Sequence, residues 1–103
     1  MERIWKFPLL VQDEQTLSLP AGAQLLTVQM QNGAPCLWAM VGETEAQEHV
    51  AIRMHGTGHT FDATGYVYIS TFQMMGGGLV FHVFRGRAIE CHSHPTSRVS
   101  PDE

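Results

Sequence analysis

Apolar and polar residues alternate with a period of two along most of the chain, and no stretch sustains the 3.6-residue repeat of an amphipathic helix. Successive side chains of a strand point to opposite faces, so the pattern predicts strands that each bury one face. The first covers residues 3–11, where Trp5, Phe7 and Leu9 share a face. Pro8 lies inside it and has no N–H for a ladder, which requires an edge position or a bulge. Asp13-Glu14-Gln15 turns the chain into a short strand at 16–19, closed by Pro20-Ala21-Gly22. Over 24–31, Leu26, Val28 and Met30 alternate with Thr27 and Gln29. Asn32-Gly33 follows, a dipeptide that takes positive φ readily and predicts a tight hairpin to a strand at 35–41. There Leu37, Ala39 and Val41 oppose Cys36, Trp38 and Met40.

The second half repeats the pattern. Residues 42–47 are acidic and read as a loop, and 49–55 form a strand with Val50, Ile52 and Met54 toward the core and Arg53 and His55 pointing away. Gly56-Thr57-Gly58-His59 breaks that strand. Two more strands, 66–74 and 79–84, are joined across Gly76-Gly77-Gly78. Past Arg85 the periodicity stops, which divides the chain into a compact β domain at 1–87 and a flexible, disordered tail at 88–103. About seven short strands predict an all-β fold, a small antiparallel sandwich or partly closed barrel. Its exposed edges give it a physical reason to pair with another copy, so a homo-oligomer is expected.

Composition narrows the classes. With 103 residues, 44% of them hydrophobic and 16% charged, the chain is neither disordered throughout, nor a coiled coil, nor collagen-like. Its apolar runs are too short to span a membrane, and Met1 to Lys6 do not form the basic-then-apolar opening of an export leader, so a cytoplasmic setting is expected. Six basic residues against ten acidic ones give a net charge of -4, which argues against a long nucleic acid as partner. Five of the six cations are arginines, whose guanidinium suits phosphate or carboxylate, so a small anionic ligand stays open. The acids cluster at Asp13-Glu14 and between Glu43 and Glu48, in segments that read as solvated loops. Cys36 sits in an apolar run and reads as a small core residue, and with Cys91 distant from it no disulfide is expected.

Candidate chemistry gathers in one place. His55 and His59 stand four apart, but the Gly-Thr-Gly between them is a poor helix, so the spacing does not mark a metal pair. A metal would need Asp62, His82 or the Cys91, His92 and His94 group in addition, and neither metal nor cofactor is expected. Gly56-Thr57-Gly58 could present backbone N–H groups and a hydroxyl to a phosphate, although it is neither a P-loop nor a dinucleotide fingerprint; a plain turn is the competing reading. Arg53, His55, Gly56, Thr57, Gly58 and His59 make the densest polar cluster, with Trp38 as a stacking partner and Arg85 as a further cation. No nucleophile motif is present, so no catalytic residue is assigned; His55 and His59 as acid and base in phosphodiester cleavage are the enzymatic alternative. Most aromatics, among them Trp5, Tyr66, Tyr68, Phe72, Phe81 and Phe84, are expected in the core, and His82 packs in a strand between Phe81 and Val83.

The words Ile4-Trp5-Lys6-Phe7-Pro8-Leu9, Leu19-Pro20-Ala21-Gly22-Ala23, the segment from Gln31 to Ala39, Gly56-Thr57-Gly58-His59, Ser70-Thr71-Phe72-Gln73 and Leu79-Val80-Phe81-His82-Val83-Phe84 resemble a family of small uncharacterised bacteriophage and prophage proteins. The resemblance implies phage origin and a compact fold and brings no catalytic residues with it. In that setting the expected role is a counter-defence accessory protein in the cytoplasm of the bacterial host. It would be a non-enzymatic homo-oligomer that sequesters a small nucleotide-like immune signal. The alternatives are an enzyme that cleaves such a signal, a protein inhibitor of a host defence factor, or a minor virion component.

Overall fold

A computed structural model describes residues 1–90. Two antiparallel sheets face each other across one core, so the fold is all-β as the alternation predicts and takes the sandwich form of the two that were open. The first sheet has the order β1 (Glu2–Pro8), β4 (Ala34–Gly42), β3 (Gln24–Gln31). The second runs β2 (Glu14–Pro20), β5 (Gln47–Gly56), β7 (Leu79–Arg85), β6 (Val67–Met74), with the short β8 (Ile89–Glu90) also against β5.

Local chemistry accounts for the main junctions. Pro8 ends the edge strand β1 opposite Cys36, the position its missing donor requires. Asn32 and Gly33 take φ of 53° and 84° and close a two-residue hairpin in which Gln31 faces Ala34. Between β6 and β7 the chain passes through a 3-10 turn at Met75–Gly77, so Met74 and Leu79 meet across the connection.

Phe7, Val28 and Leu37 from the first sheet meet Leu19, Ile52 and Val83 from the second, each at most 1% exposed. Burying such a side chain contributes about 1.5–3 kcal/mol relative to leaving it in water. Val50, Ile52 and Met54 are all core, as their alternation requires, and Cys36 is buried with a free thiol. At one corner Ser70 Oγ, itself buried, donates to the Val28 carbonyl at 2.8 Å and lies 3.2 Å from Thr27 Oγ1, which ties the edges β3 and β6 together.

The structure departs from simple alternation at several points. A bulge between Leu25 and Thr27 shifts the register of β3, so Leu26 is 38% exposed and Leu25 packs on the core in its place. A second irregularity between Tyr68 and Ser70 puts Ser70 inward and Tyr68 outward. Phe72 and Phe81 stack beside the core at 5.5 Å, whereas Tyr68 and Phe84 lie on the outer face of the second sheet, contrary to the expectation that most aromatics are interior. Pairing also continues past residue 87: Ile89 and Glu90 sit opposite His49 and Glu48. Cys91, His92 and His94 lie outside the described residues. No helix among the described residues is long and apolar enough to cross a membrane.

Candidate functional site

Strand register assembles the site. On the outer face of the second sheet one row reads Glu14, Arg53, Phe84, Tyr68 across β2, β5, β7 and β6, and the next reads His55, His82, Thr71 across β5, β7 and β6. Directly opposed residues share a face, so four sequence segments contribute to one surface. The 57–66 connection then folds back over it. Phe61 stacks on His55 with ring centroids 3.7 Å apart and planes 9° from parallel, and its ring meets Phe84 edge-on at 5.1 Å. Tyr68 packs edge-on against Phe84 at 5.7 Å, and the Arg53 guanidinium carbon lies 4.4 Å from the Tyr66 ring centre.

Where β5 ends beside the start of β2 there is a cavity of about 280 Å³, lined by Asp13, Glu14, Arg53, Met54, His55, His59 and Thr60. One Arg53 amino group is 3.6 Å from a Glu14 carboxylate oxygen. Two side-chain nitrogens of the lining residues, Arg53 Nε and His55 Nε2, are buried with no hydrogen-bond partner. An unpaired buried polar atom costs about 1–3 kcal/mol, and the protein itself supplies no partner that would offset that cost. Burial, and next the Arg53 charge, hold His55 below the ordinary histidine value of 6.5, with His59 acting in the same direction and Asp13 and Glu14 opposing it. His55 therefore presents a neutral ring, able to accept a proton, at neutral pH.

The turn at Gly56 to Gly58 places its residues on two sides. The His59 N–H donates to the Gly56 carbonyl at 3.2 Å, and the His59 ring lies over Gly56 so closely that a Cβ there would come within 3.1 Å of it. Gly58 has φ of 90°, a conformation that favours glycine. Thr57 does not line the cavity: its Oγ1 is 2.7 Å from His82 Nε2.

Of the residues singled out in the sequence, Arg53, His55 and His59 converge on the cavity, and Gly56 gives His59 the room to do so. Trp38 is on the other sheet, opposite Lys6 and Thr27, and does not approach them. Arg85 pairs with Ile52, on the face opposite Arg53, and its Nε donates to the Gly86 carbonyl at 3.0 Å. Asp62 turns to its own loop, where its Oδ1 accepts the Thr64 N–H at 2.9 Å, a bond that holds its carboxyl below the usual range. Asp13 and Glu14, which read as solvated, are exposed, and they also line the cavity because β2 pairs with β5 so that Glu14 faces Arg53. Phe61 was also without a sequence signal, since it lies in a polar connection with no periodicity. Among the described residues no group of three or more His, Cys, Asp or Glu side chains is placed to hold a metal ion.

No curated protein matches the chain, and no solved structure does. One family model matches residues 1–92, and the chain belongs to that family, described as a domain of unknown function (DUF7352).

Proposed function

We propose that the cavity of Arg53, His55 and His59 is a non-enzymatic binding site for a small anionic, nucleotide-like ligand. The observation that carries the reading is the lining itself. One guanidinium and two imidazoles stand against two carboxylates in one small polar space. A ligand with both an anionic group and hydrogen-bond donors satisfies such a lining, whereas Asp13 and Glu14 would repel a bare anion. The aromatic rings of Phe61, Phe84 and Tyr68 beside it offer a stacking surface for a base. In the phage setting implied by the sequence resemblance, the ligand is an immune signal of the bacterial host and the protein withholds it, as a homo-oligomer in the host cytoplasm.

The test is a thermal-unfolding screen against mono-, di- and cyclic nucleotides. A ligand at one hundred times its dissociation constant stabilises the fold by about 2.7 kcal/mol. Arg53→Gln should remove the stabilisation, and a screen in which no nucleotide shifts unfolding overturns the reading. Light scattering on the same sample tests the oligomer, which a strict monomer excludes. A second reading, phosphodiester cleavage, is favoured by the shared cavity of His55 and His59 and by the neutral state of His55. It predicts products that appear with time and vanish in His59→Ala.

A further inference from the structure

A chain of four side chains on the outer face of the second sheet includes no residue of the cavity. Thr57 Oγ1 is 2.7 Å from His82 Nε2, His82 Nδ1 is 3.0 Å from Thr71 Oγ1, and Thr71 Oγ1 is 2.6 Å from the Tyr68 hydroxyl. A hydroxyl bonded to an imidazole whose other nitrogen is held by a third group is the general arrangement of an activated nucleophile. Here the direction of the bonds can be followed through. In the tautomer that carries the ring proton of His82 on Nδ1, that N–H donates to Thr71 Oγ1, the Thr71 hydroxyl donates to Tyr68, and Nε2 is left to accept the Thr57 hydroxyl. Thr57 is exposed at the tip of the turn after β5, so a reagent can reach it. The next residue, Gly58, has no hydrogen-bond partner among the described residues, and a Cβ placed on it would meet nothing within 4 Å. That leaves a backbone donor and open space one residue from the hydroxyl.

We propose that Thr57 is a nucleophile and His82 its general base, together forming an acyl-accepting site for small activated esters. In the first step a bond forms from Thr57 Oγ1 to the ester carbonyl carbon, the carbonyl π pair moves onto its oxygen, and the hydroxyl proton passes to His82 Nε2. The tetrahedral intermediate collapses with loss of the ester's alkoxy group, which takes that proton from Nε2 and leaves as the alcohol. Water then adds to the acyl carbon and gives a proton to Nε2, and the second tetrahedral intermediate breaks its bond to Thr57 Oγ1, which takes that proton back, releasing the acid and the free Thr57 hydroxyl. Thr71 and Tyr68 are positioning residues that hold His82 in the accepting tautomer.

The experiment treats the full chain with a fluorophosphonate probe and with p-nitrophenyl acetate, and locates adducts by peptide mass. The expected result is a single phosphonyl adduct on Thr57 that is absent from Thr57→Val, present in Thr57→Ser, and formed at least ten-fold more slowly in His82→Gln. Thr71→Val should slow labelling several-fold and Thr71→Ser should restore it, a rescue that a merely structural role would not produce. These two variants decide the matter if His82→Gln does not fold. No adduct on Thr57, or a rate indifferent to both His82→Gln and Thr71→Val, overturns the proposal.

Discussion

The two outer faces of the sandwich grow from the same alternating pattern and end as different surfaces. On the first sheet Ile4 opposes Met40 and Lys6 opposes Trp38; Ile4 stays 59% exposed, and Trp38 makes no ring contact among the described residues. On the second sheet the equivalent positions hold Arg53, His55, His82 and Phe84, and the 57–66 connection lays Phe61 against His55 and Phe84 and Tyr66 against Arg53. The first sheet joins β3 to β4 through two residues, too few to cover anything. The second carries a long connection between β5 and β6 that folds back over its own sheet. A polar, partly desolvated site thus depends on the connection as much as on the strands, because loops carry chemistry that a rigid sheet positions.

The largest effect should come from the core that both faces share. Phe7→Ala removes a fully buried ring and is expected to lower stability by about 3–5 kcal/mol, measured by denaturant unfolding, with both faces lost together. Phe61→Ala should break one face only. It removes the stack on His55 and the edge contact to Phe84 at a cost of about 1 kcal/mol, and it exposes His55 to water. In an NMR titration the His55 ring should then protonate closer to 6.5 than in the parent protein; an unchanged titration would mean that the connection does not govern the site.

The pH dependence sharpens the same contrast. The folded His55 binds a proton less readily than the unfolded one, so the unfolded state carries more protons between the folded value and 6.5. Stability should fall as pH drops through that window and be unaffected by His55 above it. His55→Gln should flatten this part of the profile, read as unfolding midpoint against pH. The smallest effect is expected on the first sheet, where Leu26→Thr at the exposed bulge should change stability by less than about 0.5 kcal/mol.

Much of this was legible in the sequence. Strand positions followed from alternation, the β3–β4 hairpin from Asn32-Gly33, the edge position of β1 from Pro8, and the inward face of β5 from Val50, Ile52 and Met54. The clustering of Arg53, His55 and His59 was legible too, because they lie close together in the chain. Alternation puts Leu26 on the same face as the buried Val28, but a bulge inserts one residue and flips that face, which alternation cannot signal. Trp38 and Arg85 were grouped with Arg53 on chemical type alone, although a different sheet and the opposite face separate them.

The sequence by itself determined where the strands lie, the inward faces where no bulge interrupts them, and the tight turns, since period, φ preference and a missing donor are properties of neighbouring residues. Only the tertiary structure decided which strands became neighbours. It brought Asp13 and Glu14 to Arg53, placed His82 between Thr57 and Thr71, and laid Phe61 on His55, residues that lie six to forty apart in the chain. Such pairings rest on sheet order and register, which are fixed by the burial of all the inward faces at once, and no local stretch of sequence contains that information.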